Sequence, residues 1–260
     1  MACYNRREKT LAALRALGDA LTSAKYTVYL VDDGSTDGTA EVVLDQFPET
    51  VVIHGDGGLF WAASMCLAER NAMQESFDYL LWLNDDTELI PGVINGMLDV
   101  SEQYADSIIV GATVDPESGK MTYGGRRRVD SHPQRFSLAS IRADMQSVDN
   151  FNGNCVLIPM SVRTLLGPID GGFPHGFADD DYGQRAMSCG IEMLQVPGFV
   201  GFCRSNESPR IPTGVVNRWR YYESPKALPW RAQYRYMRRH GDFKWPLWFA
   251  GSVFKRMAGW

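Results

Sequence analysis

Three groups of carboxylates carry the chemistry this sequence could do. The stretch YLLWLNDDTELIP runs from apolar Tyr79–Leu83 straight into Asn84-Asp85-Asp86. Adjacent carboxylates at a strand end can bind a divalent cation through oxygen, and such a cation usually also holds substrate phosphates. The same residues can instead be solvated or cap the next helix. A second pair, Asp32-Asp33, opens the polar loop Asp32–Thr39. A third group, Asp179-Asp180-Asp181, stands before Gln184–Gly190, which reads as a helix stopped by glycine. Three neighbouring carboxylates repel one another. That raises at least one pKa and favours a metal, a basic partner or a general-base role; negative charge at a helix N-terminus is the structural alternative.

The elements that must position these groups follow from hydrophobic period. Leu11, Leu14, Leu17 and Leu21 recur at helical spacing in a helix ending by Ser23. Thr27–Val31 is a strand, and after the capping-rich turn a helix runs from Ala40 to Gln46. Strand, loop and helix then repeat twice. The first repeat is Val51–His54, Gly55–Gly58 and a helix around Ala62–Met73; the second is Tyr79–Leu83, Asn84–Thr87 and a helix starting near Pro91. This alternation predicts an α/β fold with a mostly parallel sheet and helices on both faces. Ligands in such sheets bind beyond the carboxyl ends of the strands, where Asp32, Asp33, Asp85 and Asp86 all fall. From about Ser107 the period weakens. Ile108–Val114 reads as a strand, Asp115–Gly125 as a hairpin, Arg126–Met145 as irregular, Cys155–Pro159 as a strand and the residues from Ser161 as a short helix.

Composition narrows the class. The 260 residues, 45% hydrophobic, can bury one large core with a tail. The cysteines Cys3, Cys66, Cys155, Cys189 and Cys203 are odd in number and widely spaced, which suggests neither a disulfide framework nor a zinc site and fits a reducing compartment. No signal peptide or membrane-spanning run is visible. The net charge of −5 is uneven: residues 217–260 hold ten Lys/Arg against two acidic residues, +8, leaving −13 for the rest.

The ordered segments VDDGSTDGT, GLFWAASM, LLWLNDDTEL, NGNCVLIP and HGFADDDYGQRAMSCG resemble the family 2 nucleotide-sugar glycosyltransferases, and in particular bacterial members that assemble surface polysaccharides. The resemblance covers nearly the whole chain. It implies the GT-A fold, Rossmann-like, with a nucleotide-binding half at about 1–114 and an acceptor-binding half at about 115–216; the charge and aromatic pattern of residues 217–260 adds a basic, aromatic helical extension. The family pattern puts the base and ribose at Ala2, Tyr4, Asn5 and Asp32. It matches the DxD-like motif to Asn84-Asp85-Asp86, with Asp85 on the donor and Asp86 on an Mg²⁺ or Mn²⁺ ion bridging the donor diphosphate. It gives Asp179 the place of the catalytic base, with Asp181 as the second choice. Trp61 could stack on a base or sugar ring, although an aromatic entering a helix is commonly core. Gly153-Asn154 could admit the donor phosphates, although glycine before a strand commonly marks a turn. His175 could touch donor or acceptor.

The resemblance thus implies an inverting, metal-dependent hexosyl- or deoxyhexosyltransferase. Its donor would be a UDP- or dTDP-sugar and its acceptor a saccharide or a lipid-linked saccharide, used in the cytoplasm or on the inner face of the cell membrane. Two features depart from the family. Val200–Asn206 lacks the histidine that many metal-dependent members carry, leaving fewer ligands or a compensating Arg204, and Met1–Asn5 begins at the end of the usual first strand. The tail interleaves Trp230, Tyr234, Tyr236, Trp245 and Trp248 with arginines. This suits an interfacial helix on an anionic membrane, or a basic helix packed on the acidic body. Nucleic acid is a poorer partner, because the basic stretch is confined to the tail and no recognised motif accompanies it. A nucleotidyltransferase making the sugar nucleotide would want a glycine-rich phosphate loop that Met1–Ser23 does not supply. A silent nucleotide- or glycan-binding protein would tolerate loss of Asp179–Asp181, which is intact. A dehalogenase-type phosphatase read into Asp32–Ser35 lacks the needed Asp spacing.

Overall fold

The computed structural model describes residues 1–174, 176–206, 211–224, 227 and 229–258. In chain order the elements are β1 (Ala2–Cys3), α1 (Arg7–Ala20), β2 (Tyr29–Asp32), α2 (Thr39–Gln46), β3 (Val51–His54), α3 (Phe60–Ala72), β4 (Tyr79–Leu83), β5 (Glu88–Leu89), α4 (Val93–Gln103), β6 (Ile108–Val110), β7 (Thr113–Val114) and β8 (Met121–Tyr123). They continue with β9 (Gly125–Arg128), β10 (Phe136–Leu138), β11 (Gln146–Ser147), β12 (Asn150–Phe151), β13 (Cys155–Pro159), α5 (Met160–Leu166), α6 (Ala178–Ser188), β14 (Met193–Gln195), β15 (Gly201–Phe202), α7 (Val215–Glu223), α8 (Trp230–His240) and α9 (Trp245–Ala258).

The first half follows the expected strand–loop–helix rhythm, with β1, β2 and β3 paired in parallel. The central sheet has the order β11-β14-β6-β13-β4. Its residues alternate strictly between two cores, as the period of 2 requires. Leu83, Ile109 and Leu157 pack with Leu11, Leu14 and Leu17 of α1 on one face. Trp82, Val110, Val156 and Ile158 pack with Phe151, Tyr182 and Tyr236 on the other.

Within that sheet, β13 runs antiparallel to both β4 and β6. Its five residues are all buried, and a continuous apolar run carries no signal of direction. The direction matters to the site. Pairing Cys155 with Leu83 sets Asn154 beside Asn84, whose N–H donates to the Asn154 carbonyl at 3.1 Å.

Residues 126–145, expected to be irregular, contain β9 and β10, paired antiparallel. Three consecutive arginines hide the alternation of a strand. Here Arg126 and Arg128 lay their guanidinium groups over the Phe136 ring, at 5.1 and 4.9 Å. The Asp179–Asp181 cluster lies inside the first turn of α6 rather than ahead of it, where carboxylates meet the positive end of the helix dipole.

The last two helices of the tail differ in how they meet the body. α8 packs on the body through the fully buried Tyr236 and Met237, and Arg239 reaches Asp170 and Asp181. α9 lies over α7 and α8 and has no buried residue.

Candidate active site

The residues expected to bind the nucleoside gather where β1 and β2 end. Asn5 sits at φ 51°, a left-handed conformation that asparagine tolerates. Its side-chain oxygen accepts from the Thr36 N–H at 2.8 Å, while its own N–H donates to Ser35 Oγ at 2.9 Å. Asp32, buried, accepts from the Ser35 N–H at 2.9 Å. Ala2 is half-buried in β1 and Tyr4 is exposed beside it. Asp33 does different work. Its carboxylate receives the N–H groups of Gly57, Leu59 and Phe60 at 2.9–3.2 Å and so fixes the glycine loop that launches α3.

That launch aims Trp61 across the sheet. Its Nε1–H donates to Asn84 Oδ1 at 2.8 Å. The far edge of the indole lies against Gly153, where an added Cβ would stand only 2.7–2.8 Å from the ring. The Gly153 N–H in turn donates to Asp179 Oδ2 at 3.1 Å. One contact chain, Asn84–Trp61–Gly153–Asp179, therefore joins the first acidic turn to the second.

At the first turn, Arg6 binds both carboxylates, Asp86 Oδ2 at 2.9 Å and Asp85 Oδ1 at 3.2 Å. Burial pushes the Asp85 carboxyl up to about 6, although the Arg6 charge opposes the shift. Its Oδ2 is buried without a hydrogen-bond partner. Cys203 Sγ stands 3.6 Å from both Asp86 Oδ1 and the Asn154 amide. Burial drives that thiol up to about 12, so it stays neutral. Arg204, considered for charge compensation, pairs instead with exposed Glu117. The cation that meets the acidic turn is Arg6.

At the second turn, the three aspartates have separate partners. Asp179 accepts from the N–H groups of Gly153 and Asp180. Asp180 is paired with Arg126 and accepts from the Asn150 amide at 3.1 Å; burial first, then the Asp179 charge, push it up to about 7 despite Arg126. Asp181 is fully buried, with Arg185, Arg239 and His240 at 2.9, 2.6 and 2.8 Å. Burial opposes its charge, yet the bonds from His240 and Arg239 and the Arg185 charge hold its carboxyl below the usual range. With both oxygens committed, Asp181 anchors α8 and offers no open base, which leaves Asp179 as the candidate. His175 lies outside the described residues.

Residues 1–164 match the family model described as Glycosyl transferase family 2. The chain belongs to that family. An N-acetylglucosaminyl-diphospho-decaprenol L-rhamnosyltransferase of Mycobacterium tuberculosis, found in two strains, is 22% identical over 215 residues, which cover 73% of this chain and 69% of the relative. Among solved structures, GalNAc-T7 with UDP, GalNAc and Mn2+ superposes with TM-score 0.61 at 13% identity, over 97% of this chain and 54% of that one. S. aureus TarS 1-349 superposes with TM-score 0.57 at 10% identity, over 91% of this chain and 62% of that one. The fold of this family 2 chain is GT-A. The chain spans little more than half the length of the first of these structures.

The acidic turn suits a hard cation in part. The unpartnered Asp85 oxygen and the Asp86 carboxylate are the donors Mg²⁺ or Mn²⁺ prefers, and such ions commonly take one or two carboxylates plus substrate phosphates. Among the described residues, no three His, Cys, Asp or Glu side chains are grouped to hold a metal alone. An ion here would lean on the substrate for its remaining ligands.

Proposed function

We propose that the chain is an inverting glycosyltransferase of bacterial surface polysaccharide synthesis, moving a sugar from a UDP- or dTDP-sugar to a hydroxyl of a saccharide or lipid-linked saccharide. The observation that carries this reading is the contact chain from Asn84 through Trp61 and Gly153 to Asp179. It sets an acidic, cation-suited turn and an open carboxylate at the two ends of one indole. The printed activity of the mycobacterial relative, a rhamnosyltransferase on a diphospho-decaprenol acceptor, supports the lipid-linked acceptor. The UDP and Mn2+ of the GalNAc-T7 structure support the donor class and the ion.

In this reading Asn5, Asp32 and Tyr4 bind the nucleoside, Ala2 lies beneath it, and Asn154 lines the diphosphate. Asp179 accepts the proton of the acceptor hydroxyl as that oxygen bonds to the anomeric carbon. The carbon–oxygen bond to the diphosphate breaks on the opposite side, the electron pair leaves with the nucleoside diphosphate, and the anomeric configuration inverts. Two N–H groups hold Asp179 in place; a positioned base contributes on the order of 10²–10⁴ in rate. Arg6, held against Asp85 and Asp86, meets the charge that grows on the departing diphosphate. A Mg²⁺ or Mn²⁺ ion on Asp86 with Asp85 would add further neutralisation of that charge. The reaction would run at the cytoplasmic membrane face, with the tail helices touching the membrane.

The test is a donor screen. Purified protein is titrated with UDP-, dTDP- and GDP-sugars in Mn²⁺ or EDTA, and released nucleotide is measured for wild type and Asp179→Asn. Expected is metal-dependent turnover of one donor, lost in the variant while donor binding survives. Absence of binding by every nucleotide sugar would overturn the donor site; full turnover by Asp179→Asn would overturn the base.

A further inference from the structure

α9 divides cleanly along its length. Trp245, Trp248, Phe249, Ser252, Val253, Arg256 and Met257 turn inward. The Trp245 and Phe249 rings meet Tyr234 of α8 edge to face, Gln233 donates to Ser252 Oγ at 2.7 Å, and Arg256 lies over the rings of Tyr222 and Trp230. At about 100° per residue, the opposite face carries Leu247, Ala250, Gly251 and Phe254, and exposed Phe243 lies two residues before the helix. These are open positions: Phe243 is 85% exposed, Leu247 74% and Phe254 66%. A row of large apolar side chains held this far into water marks an interaction surface.

Charge identifies what covers it. Lys244 and Lys255 flank the apolar row, both exposed, and no acidic residue occurs from Phe243 to Ala258. On α8, Arg231 and Arg238 stand seven residues apart on one exposed edge. An apolar ridge rimmed by lysines is the pattern of a helix lying in a membrane interface, where apolar groups enter the acyl boundary and cations meet anionic headgroups. The helix has 14 residues, about 21 Å of rise, against the roughly 30 Å of a bilayer core. Among the described residues no helix is long and apolar enough to cross a membrane. Lying on the surface is the geometry open to it.

We infer that the outward face of α9, Phe243-Leu247-Phe254 with Lys244 and Lys255, docks the protein on an anionic lipid bilayer, while α8 serves as the strut that fixes α9 to the catalytic body. The biological purpose rests on the lipid-linked acceptor proposed above, but docking is measured without sugar transfer, so the two readings fail separately. Full-length protein is sedimented with vesicles of phosphatidylcholine alone and with 30% phosphatidylglycerol, at low and high salt, alongside Leu247→Glu/Phe254→Glu and Lys244→Glu/Lys255→Glu. Expected is binding to the anionic vesicles that falls at least tenfold in the first variant at any salt. In the second it falls comparably at low salt only. Because these side chains make little contact with the fold, the melting temperature stays within a few degrees. The inference is overturned if wild type ignores anionic vesicles, or if the apolar variant binds them as wild type does. It is also overturned if light scattering shows a wild-type dimer that Leu247→Glu/Phe254→Glu dissolves, because a second copy would then cover the ridge.

Discussion

Gly153→Ala probes the contact chain with the smallest available change. Gly153 does not lie in the left-handed region, so alanine is compatible with its backbone and the perturbation is steric. The new Cβ would stand 2.7 Å from one indole carbon of Trp61 and 2.8 Å from another, whereas relaxed carbon contacts lie at about 3.5 Å or more. The ring must retreat by roughly 0.7 Å. Its Nε1 bond to Asn84, now 2.8 Å, would then sit at the limit of a hydrogen bond. The same displacement pushes on the N–H that positions Asp179, 3.1 Å away. Overpacking of this kind costs about 1–3 kcal/mol, and a shift approaching 1 Å in a catalytic array costs up to about 10²-fold. The expected outcome is a kcat reduced roughly 10- to 100-fold in a variant that still unfolds cooperatively in urea. Adding Trp61→Leu, which vacates the space, should cost less than the sum of the two single changes, because the sites share a contact. A folded Gly153→Ala enzyme with wild-type kcat, or strict additivity with Trp61→Leu, would refute the coupling.

Two further outcomes follow from the electrostatics. Asp181→Asn leaves Arg185, Arg239 and His240 facing a neutral amide in a buried site, so stability should fall by about 3–5 kcal/mol. The kcat of the folded fraction should stay within a few-fold of wild type; a kcat loss matching that of Asp179→Asn, with stability unchanged, would make Asp181 the base instead. Asp85 has its carboxyl raised by burial from an ordinary 3.8 to about 6; a raised carboxyl favours the folded state fully below about pH 4 and loses that contribution as pH rises through 6. In urea titrations, Asp85→Asn should therefore gain on wild type by up to about 3 kcal/mol between pH 4 and pH 7.5, and parallel pH profiles would exclude a buried, strained carboxylate.

The parts of the fold that could be read in the sequence are those whose signals are local. The helical spacing of Leu11, Leu14 and Leu17, the caps after Asp32 and the apolar run into Asn84 each specify an element within a dozen residues, and α1, α2 and β4 stand where those signals put them. The strand through Arg126–Arg128 was hidden because its stabilisation comes from Phe136 and Asp180, residues that local period cannot include. Arg6 was missed for the same reason. It sits in a polar run that looks solvated, and only the packing of Met1 and Cys3 in one core with Leu83 at the end of β4 brings it to Asp85, 79 residues along the chain. Cys203 looked like one more scattered cysteine until the packing of β15 set it against Asp86. The antiparallel course of β13, which delivers Gly153 and Asn154 to the site, left no mark in five consecutive apolar residues.

The cluster Asp179–Asp181 shows why adjacency in sequence misleads about shared function. Consecutive residues on a helix point about 100° apart, so three carboxylates in one helical turn cannot address one ligand. Each is sent to a different neighbourhood. Asp179, partly exposed, faces Gly153, Asp180 is driven inward against Arg126 and Asn150, and Asp181 turns to the cations of α6 and α8. Burial raises Asp180 to about 7 and Arg126 meets the charge it does carry, while Asp181 is paired with Arg185 and Arg239. The two aspartates that follow Asp179 thus have their charge met by the protein's own cations, and the carboxylate proposed as the base is the one whose partners are backbone N–H groups, donors that orient it without neutralising it.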